Sequence, residues 1–481
     1  MGTDLAAPRS GRKRRKQLLL GFCPIGKFVF SHEDAMRQKK AILEKLDQWK
    51  VRYCTIDTVV PDGMVRDQRH VGPVVRLFRE KGIDALFMPH CNFGTEGAVG
   101  MIARELGVPV LLWGPRDEAP LADGSRLRDS LCGMFASSKV LGKLHVPFTY
   151  VENCRVGDPQ FRDGFSRFLR AAMVVKSMRR MRIGQVGVRV DFFWTTIANE
   201  SELLEKFGIQ VLPFDMVDFL RGVKARAKKD RAGYVEELAG LKRHWLDVSG
   251  MQSEEGVLNA LAYRDELFRL GEENELDAFS IKSFSSIPDE LGAGIGIGEM
   301  MLQEWYPVGA ESDLHGAVSS VLVEAAAAEE QPSFFPEYTV RHPDNDNAVL
   351  LWHGVAPRSL RHPGVEKVRV GAPWILKGLP PSSPQFPLRD GPLTVCRFDG
   401  DTGGYRLGVG QGRTVPGPAT NEFYAWMEVD DWPRWERRIM QGPYIHHCSA
   451  VYDHCADVLE EACRYIPHLS AERFDRPSRE E

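Results

Sequence analysis

The chain has 481 residues, 43% apolar and 27% charged, with a formal net charge of −4. It is too long for one hydrophobic core, so two or three domains are expected, and its charge gives no reason to propose a nucleic-acid or membrane partner. The nine cysteines are odd in number and none has Cys-x-x-Cys spacing, which argues against a zinc ribbon or disulfide framework and fits a reducing cytoplasm.

In chain order, the basic run Arg12-Lys13-Arg14-Arg15-Lys16 reads as a solvated tail. Residues 17–22 read as a buried first strand, with an apolar run too short for a signal peptide or a membrane span. A helix follows over 34–48, with Ala35, Ala41, Ile42, Leu43 and Leu46 on its apolar face. Residues 51–56 alternate as a strand, 72–81 are helical, and 85–88 form a short apolar strand. A helix over 95–106 ends at Gly107, which can take a left-handed cap. Residues 108–113 are the next strand. Such alternation predicts a parallel sheet covered on both faces. The pattern restarts with a strand over 182–187, a helix over 198–207 ended by Gly208, and a strand over 209–213. Residues 215–275 are charged and mostly helical, 277–282 are a strand, and 294–306 are a helix broken by Pro307. A last helix starts after Glu311, because Leu314, Val318, Val321, Leu322 and Ala325 recur at helical spacing. From 346 onward Pro and Gly are frequent, 368–370, 393–398 and 405–409 read as short strands, and no long helix is expected before about 452. The fold class is therefore α/β: two α/β domains with parallel sheets, over 15–174 and 175–345. A C-terminal β-rich, β-barrel-like domain with a final helix follows over 346–481.

The most informative residues are two carboxylates and a few imidazoles, each beside an apolar stretch. Glu311 lies in Gly309-Ala310-Glu311-Ser312-Asp313, Glu337 in Phe334-Phe335-Pro336-Glu337-Tyr338, and His353 closes Ala348-Val349-Leu350-Leu351-Trp352-His353. His446-His447 follows far downstream. Mixed carboxylate and imidazole ligands suit Mn, Zn or Fe, and carboxylate-rich sets lean toward Mn and Mg. Each residue also has a plainer reading. A glutamate at a helix start is favoured by the helix dipole. A single histidine after an apolar strand is commonly a hydrogen-bonded structural residue. Adjacent histidines on a strand point to opposite faces, so only one of the pair can look at a given site. The joint occurrence carries the weight. Elsewhere, Asn92-Phe93-Gly94-Thr95-Glu96-Gly97 suits an anion or sugar hydroxyl at a helix N-terminus but lacks the dinucleotide fingerprint. Gly292-Ala293-Gly294-Ile295-Gly296-Ile297-Gly298 lacks the Gly-Lys-Ser/Thr of a P-loop. Lys282, at a strand end, could neutralise a carboxylate or alkoxide or be an ordinary strand-end lysine.

At these residues the chain resembles the L-fucose/L-arabinose isomerase family. The carrying segments are Ala278-Phe279-Ser280-Ile281-Lys282, Tyr306-Pro307-Val308-Gly309-Ala310-Glu311-Ser312-Asp313, Pro332-Ser333-Phe334-Phe335-Pro336-Glu337-Tyr338-Thr339, Leu350-Leu351-Trp352-His353-Gly354 and Gly442-Pro443-Tyr444-Ile445-His446-His447. Leu112-Trp113-Gly114-Pro115-Arg116-Asp117 is the most suggestive N-terminal piece. The tryptophan- and asparagine-rich stretch typical of fucose isomerases is absent after the second acid, so the chain is close to neither branch. The resemblance implies a cytoplasmic homo-oligomer, hexameric or trimer-based, with its pocket shared between subunits. It implies one Mn²⁺, or another divalent cation such as Mg²⁺, Co²⁺ or Zn²⁺, held by Glu311, Glu337, His353 and His447, with His446 as the alternative histidine. Lys282, His446, Trp113 and Arg116 would meet the sugar. The implied reaction is aldose–ketose isomerisation of an open-chain sugar or sugar derivative through a cis-enediol, with Glu311 and Glu337 moving the protons. The competing readings are a metal-dependent epimerase, aldolase or lyase on a sugar derivative, and a non-catalytic sugar-binding protein.

Overall fold

The computed structural model describes residues 17–249, 254–283, 286–292, 294–375, 378, 381–401 and 404–477; the basic run 12–16 lies outside them. The chain divides into two compact units. The first comprises Lys16–Lys176 with Glu461–Ile466, and the second Ser177–Glu460 with Pro467–Glu481.

The first unit is built on five parallel strands: β1 (Leu20–Phe22), β2 (Tyr53–Cys54), β3 (Ala85–Pro89), β4 (Val110–Trp113) and β5 (Thr149–Tyr150). Their order is β2-β1-β3-β4-β5. Alternate side chains leave a strand on opposite faces, and the two cores follow from that rule. Leu86, Met88, Val110 and Leu112 pack on one face with Val74, Phe78 and Ile102. Ala85, Phe87, Leu111 and Trp113 pack on the other with Phe161, Phe165 and Phe168. The helix Glu96–Leu106 stops where Gly107 turns left-handed at φ 61°, as its sequence predicts.

The second unit holds two sheets. β6 (Arg182–Val186), β7 (Gln210–Phe214), β9 (Ala278–Ile281) and β10 (Val308–Gly309) form a parallel sheet of order β10-β9-β6-β7. The remaining strands form a mixed sheet of ten: β8 (Leu246–Asp247), β11 (Glu337–Arg341), β12 (Ala348–His353), β13 (Val368–Gly371), β14 (Ser383–Pro387), β15 (Pro392–Asp401), β16 (Gly404–Val415), β17 (Phe423–Glu428), β18 (Ser449–Val451) and β19 (Leu469–Arg473). Its path runs β18-β15-β16-β17-β14-β13-β8, with β12 and β11 branching from β17 and β19 from β16. No closed barrel is traced among the described residues. The short β8 joins the C-terminal strands, because Leu246 and Asp247 pair in parallel with Val368 and Arg369.

Besides Ser130–Lys143 and Pro159–Met178, which the sequence left unassigned, a helix stands where none was expected, over Trp432–Gln441. Asp431 accepts the Arg434 N–H and Pro433 occupies the first turn, a start signal that the surrounding strand-like composition obscures. Trp432 and Trp435 are its buried anchors.

Candidate metal centre

The strand β10 delivers the chain into a tight corner at Ala310–Ser312. Glu311 and Ser312 both adopt left-handed backbone, at φ 60° and 61°. For non-glycine residues this costs roughly 1–2 kcal/mol each, and such strain clusters at functional sites. The corner is tied to its neighbours at the C-terminal ends of the parallel strands. The Glu311 N–H donates to Ser283 Oγ at 3.1 Å, just past β9, and the Ser312 hydroxyl donates to the Val188 carbonyl at 3.2 Å, just past β6. Open α/β sheets present their ligand sites at this end. The cap of the following helix, Leu314–Ala326, is Asp313, which accepts the Gly316 N–H at 2.7 Å. The helix-dipole account offered for Glu311 therefore belongs to Asp313, and Glu311 stands before the helix.

Three further segments bring the other groups. Glu337 opens β11, opposite Trp352 of β12, and forms an isolated bridge with His447. His353 is the last residue of β12. The side-chain donors then converge. His447 Nε2 lies 3.4 Å from Glu311 Oε2 and 3.6 Å from Glu337 Oε1, and His353 Nε2 lies 3.7 Å from Glu337 Oε1. One ligand atom from each of Glu311, Glu337, His353 and His447 lies within 4.8 Å of the others. Glu311 Oε2, His353 Nε2 and His447 Nε2 are buried without an aligned hydrogen-bond partner. Burying polar atoms unpaired is unfavourable. Three such atoms aimed at one point fit a divalent cation with mixed carboxylate and imidazole ligands.

The surroundings orient this set. His447 Nδ1 sits 3.0 Å from Asp313 Oδ2, leaving Nε2 to face the carboxylates, the arrangement that fixes the tautomer of a metal-binding histidine. Arg397 of β15 donates to Asp313 twice, at 2.6 and 3.2 Å. Burial opposes ionisation of Asp313, but Arg397 and His447 outweigh it and hold the carboxyl well below its usual range. Burial also opposes ionisation of Glu337, yet His447 and His353 bring its pKa down. At His447 burial favours the neutral ring, but Asp313, Glu311 and Glu337 prevail and raise its pKa to about 10. The cluster thus calls for positive charge, which a proton or a cation can supply. The Phe335 ring packs against both imidazoles, at 5.0 Å from His447 and 5.6 Å from His353. A cavity of about 120 Å³ opens on Glu311, Glu337 and His353, and extends to Glu299, Gln303 and Glu422.

The other residues singled out in the sequence fall elsewhere. His446 is exposed, with Nε2 3.8 Å from Glu337 Oε1, so it flanks the cluster while His447 enters it. Lys282 lies just past β9 with its side chain over Gly187, where a Cβ would meet it at 3.3 Å. Trp113 and Arg116 belong to the first unit. Trp113 is wholly buried, its ring 4.2 Å from that of Phe161, a core position in place of the sugar contact expected of it. Arg116 is exposed.

Sequence reasoning gave no role to Asp313 or Arg397. Asp313 carried a signal, an aspartate placed to cap the periodic helix that follows it. Arg397 stands in the apolar strand Leu393-Thr394-Val395-Cys396-Arg397-Phe398, where a buried cation demands an acidic partner that nothing local names.

Residues 21–179 match the model of the fucose/sulfoquinovose isomerase N-terminal domain. Sulfoquinovose isomerase of Priestia aryabhattai is 24% identical over 457 residues, covering 92% of this chain and 97% of the relative. That of Priestia megaterium has the same identity and coverage. Sulfoquinovose isomerase of Alkalicoccus urumqiensis is 24% identical over 70% of this chain and 73% of its own length. These relatives support a sugar isomerase. The matched N-terminal domain and the relatives aligned along nearly the whole chain together support a fucose isomerase-like protein.

Proposed function

We propose that the chain is a metal-dependent aldose–ketose isomerase acting on an open-chain sugar or sugar derivative. The observation that carries this reading is the convergence of Glu311, Glu337, His353 and His447, three of them contributing a buried atom without an aligned hydrogen bond. A bound divalent cation such as Mn²⁺ would supply Lewis acidity toward the carbonyl and adjacent hydroxyl oxygens of the sugar.

The chain's own groups do the rest. One of Glu311 and Glu337 takes the carbon-bound proton and the other moves the hydroxyl proton, giving a cis-enediol that collapses to the isomer when the protons return. Positioned acid–base groups of this kind contribute roughly 10²–10⁴-fold. Asp313 keeps His447 in the tautomer that faces the cluster, and Arg397 keeps Asp313 ionised. Phe335 shields the two imidazoles on one side.

A homo-oligomer is part of the proposal. Its support is the loop after β6, where Val188, Phe192, Trp194 and Ile197 are exposed. Among the described residues no helix is long and apolar enough to cross a membrane.

The test is a product screen by NMR. Pentoses, hexoses, deoxy sugars and sulfoquinovose, the last drawn from the names of the relatives, are incubated with the protein and Mn²⁺. Isomerisation conserves mass and gives the matching ketose. Cleavage products in place of a ketose would move the assignment to a lyase or aldolase, and an inert preparation that still binds sugar would move it to a binding protein.

A further inference from the structure

A further carboxylate of the second unit, Glu422, is placed in a way that packing does not account for. Glu422 immediately precedes β17, and Phe423 pairs with His353 across β12 and β17. Glu422 therefore stands one residue beyond the strand pair that carries a candidate ligand, and it lines the same cavity as Glu311, Glu337 and His353. Its backbone is left-handed, at φ 54°, a conformation costly for any residue but glycine and tolerated chiefly by asparagine and aspartate. Its side chain is buried, with the residue only 3% exposed.

The hydrogen bonds at Glu422 are unequal. Its carbonyl accepts the Phe386 N–H at 3.1 Å, and Oε1 accepts the Trp374 N–H at 2.8 Å. Oε2 is buried and has no aligned hydrogen-bond partner. Burial raises the pKa of this carboxyl, against the opposing pull of the Trp374 amide and the nearby Ser383 hydroxyl. Glu299, on the same cavity, differs: Gln303 Nε2 donates to its Oε1 at 3.2 Å. So one wall of the cavity has an acceptor fixed in direction by a backbone amide, with a second oxygen left unanswered. Strained backbone and an unpaired buried polar atom at one residue each lower stability, and the two together at a cavity wall point to a ligand.

We infer that Glu422 is a specificity-determining residue: its Oε2 accepts a hydrogen bond from a hydroxyl of the bound open-chain sugar, beyond the two carbons that react. This rests on the isomerase reading above for the identity of the ligand as a polyhydroxylated chain. The contact orients the sugar and contributes to its affinity, while the metal cluster stands without it.

The experiment uses the full chain loaded with Mn²⁺ and titrated calorimetrically with ribitol, xylitol, mannitol and glucitol, open-chain polyols that lack a reactive carbonyl. The tightest binder is then carried to two variants. Glu422→Gly removes the carboxylate and relieves the left-handed strain but leaves the Trp374 N–H without its acceptor, so circular dichroism is used to establish that it is folded. Its polyol affinity should fall at least tenfold, with Mn²⁺ stoichiometry unchanged. Glu422→Gln keeps the shape and one neutral acceptor, and its affinity should lie between those of the parent and the glycine variant. Parental polyol affinity in either folded variant would overturn the inference, as would a Mn²⁺-loaded parent that binds none of the four polyols. Failure of the isomerase reading looks different: polyol affinity still tracks Glu422, but no aldose is converted to a ketose.

Discussion

Two buried histidines, one in each unit, show what separates a packed imidazole from a candidate ligand. His90 of the first unit is fully buried, with Nε2 2.7 Å from Ser137 Oγ and Nδ1 3.2 Å from the Met88 carbonyl. Both nitrogens have partners, and burial lowers its pKa to about 4 despite the bond to Met88. His447 of the second unit is just as buried, but only Nδ1 has an aligned partner and Nε2 faces Glu311 and Glu337. Burial acts on both rings in the same direction. The three carboxylates around His447 overcome it and raise the pKa to about 10. Depth alone is therefore no mark of a site; an unanswered nitrogen among carboxylates is.

The largest effect that sharpens this contrast is on turnover. Glu311→Gln keeps the shape of the corner but removes its charge and its proton-transfer capacity. Loss of at least ~10²-fold in isomerase rate is expected from the usual contribution of a positioned acid–base group. Circular dichroism should be unchanged, and a fully active glutamine variant would break the assignment.

Next in size is Asp313→Ala. It removes the hydrogen-bonded partner of the buried Arg397 guanidinium, leaving it Asp399 Oδ2 at 3.6 Å, and frees the His447 ring. Breaking a buried pair from one side costs about 3–5 kcal/mol. Denaturant unfolding should show a loss of that order, and the same variant should bind Mn²⁺ more weakly. A loss under about 1 kcal/mol, the value typical of an exposed pair, would contradict this view of Asp313.

The smallest effect concerns His90. Its pKa falls from 6.5 in the unfolded chain to about 4 in the folded one, so between these values the unfolded state holds more protons. Stability then rises with pH across that window and is lost as pH falls through it, by up to about 3 kcal/mol. His90→Gln, which cannot titrate, should flatten that part of the stability–pH curve and leave Mn²⁺ binding untouched. A curve unchanged by the substitution would remove the contrast with His447.

Much of the first unit was legible, because its strands are continuous apolar runs such as Ala85-Leu86-Phe87-Met88 and two of its helices end at glycine, Gly82 and Gly107. The C-terminal strands were found individually, but their joining was not. The pairing of Leu246 and Asp247 with Val368 and Arg369 spans more than a hundred residues, and no local pattern encodes such a partner. Glu311, Glu337, His353 and His447 were each visible as polar residues at the edges of apolar runs. What holds them was harder to read. Arg397 and Asp313 satisfy each other across 84 residues, so the need of each is visible alone and the answer only in three dimensions. Trp113 shows the opposite error: a large aromatic in a suggestive motif that serves the core.

The most direct test is the binding of Mn²⁺ itself, followed by electron paramagnetic resonance and titration calorimetry on the full chain at neutral pH. One ion per chain is predicted, with loss of that ion in His447→Gln and Glu311→Gln while His90→Gln retains it. Stoichiometric binding that survives in both cluster variants, or no binding to the parent chain, would contradict the account.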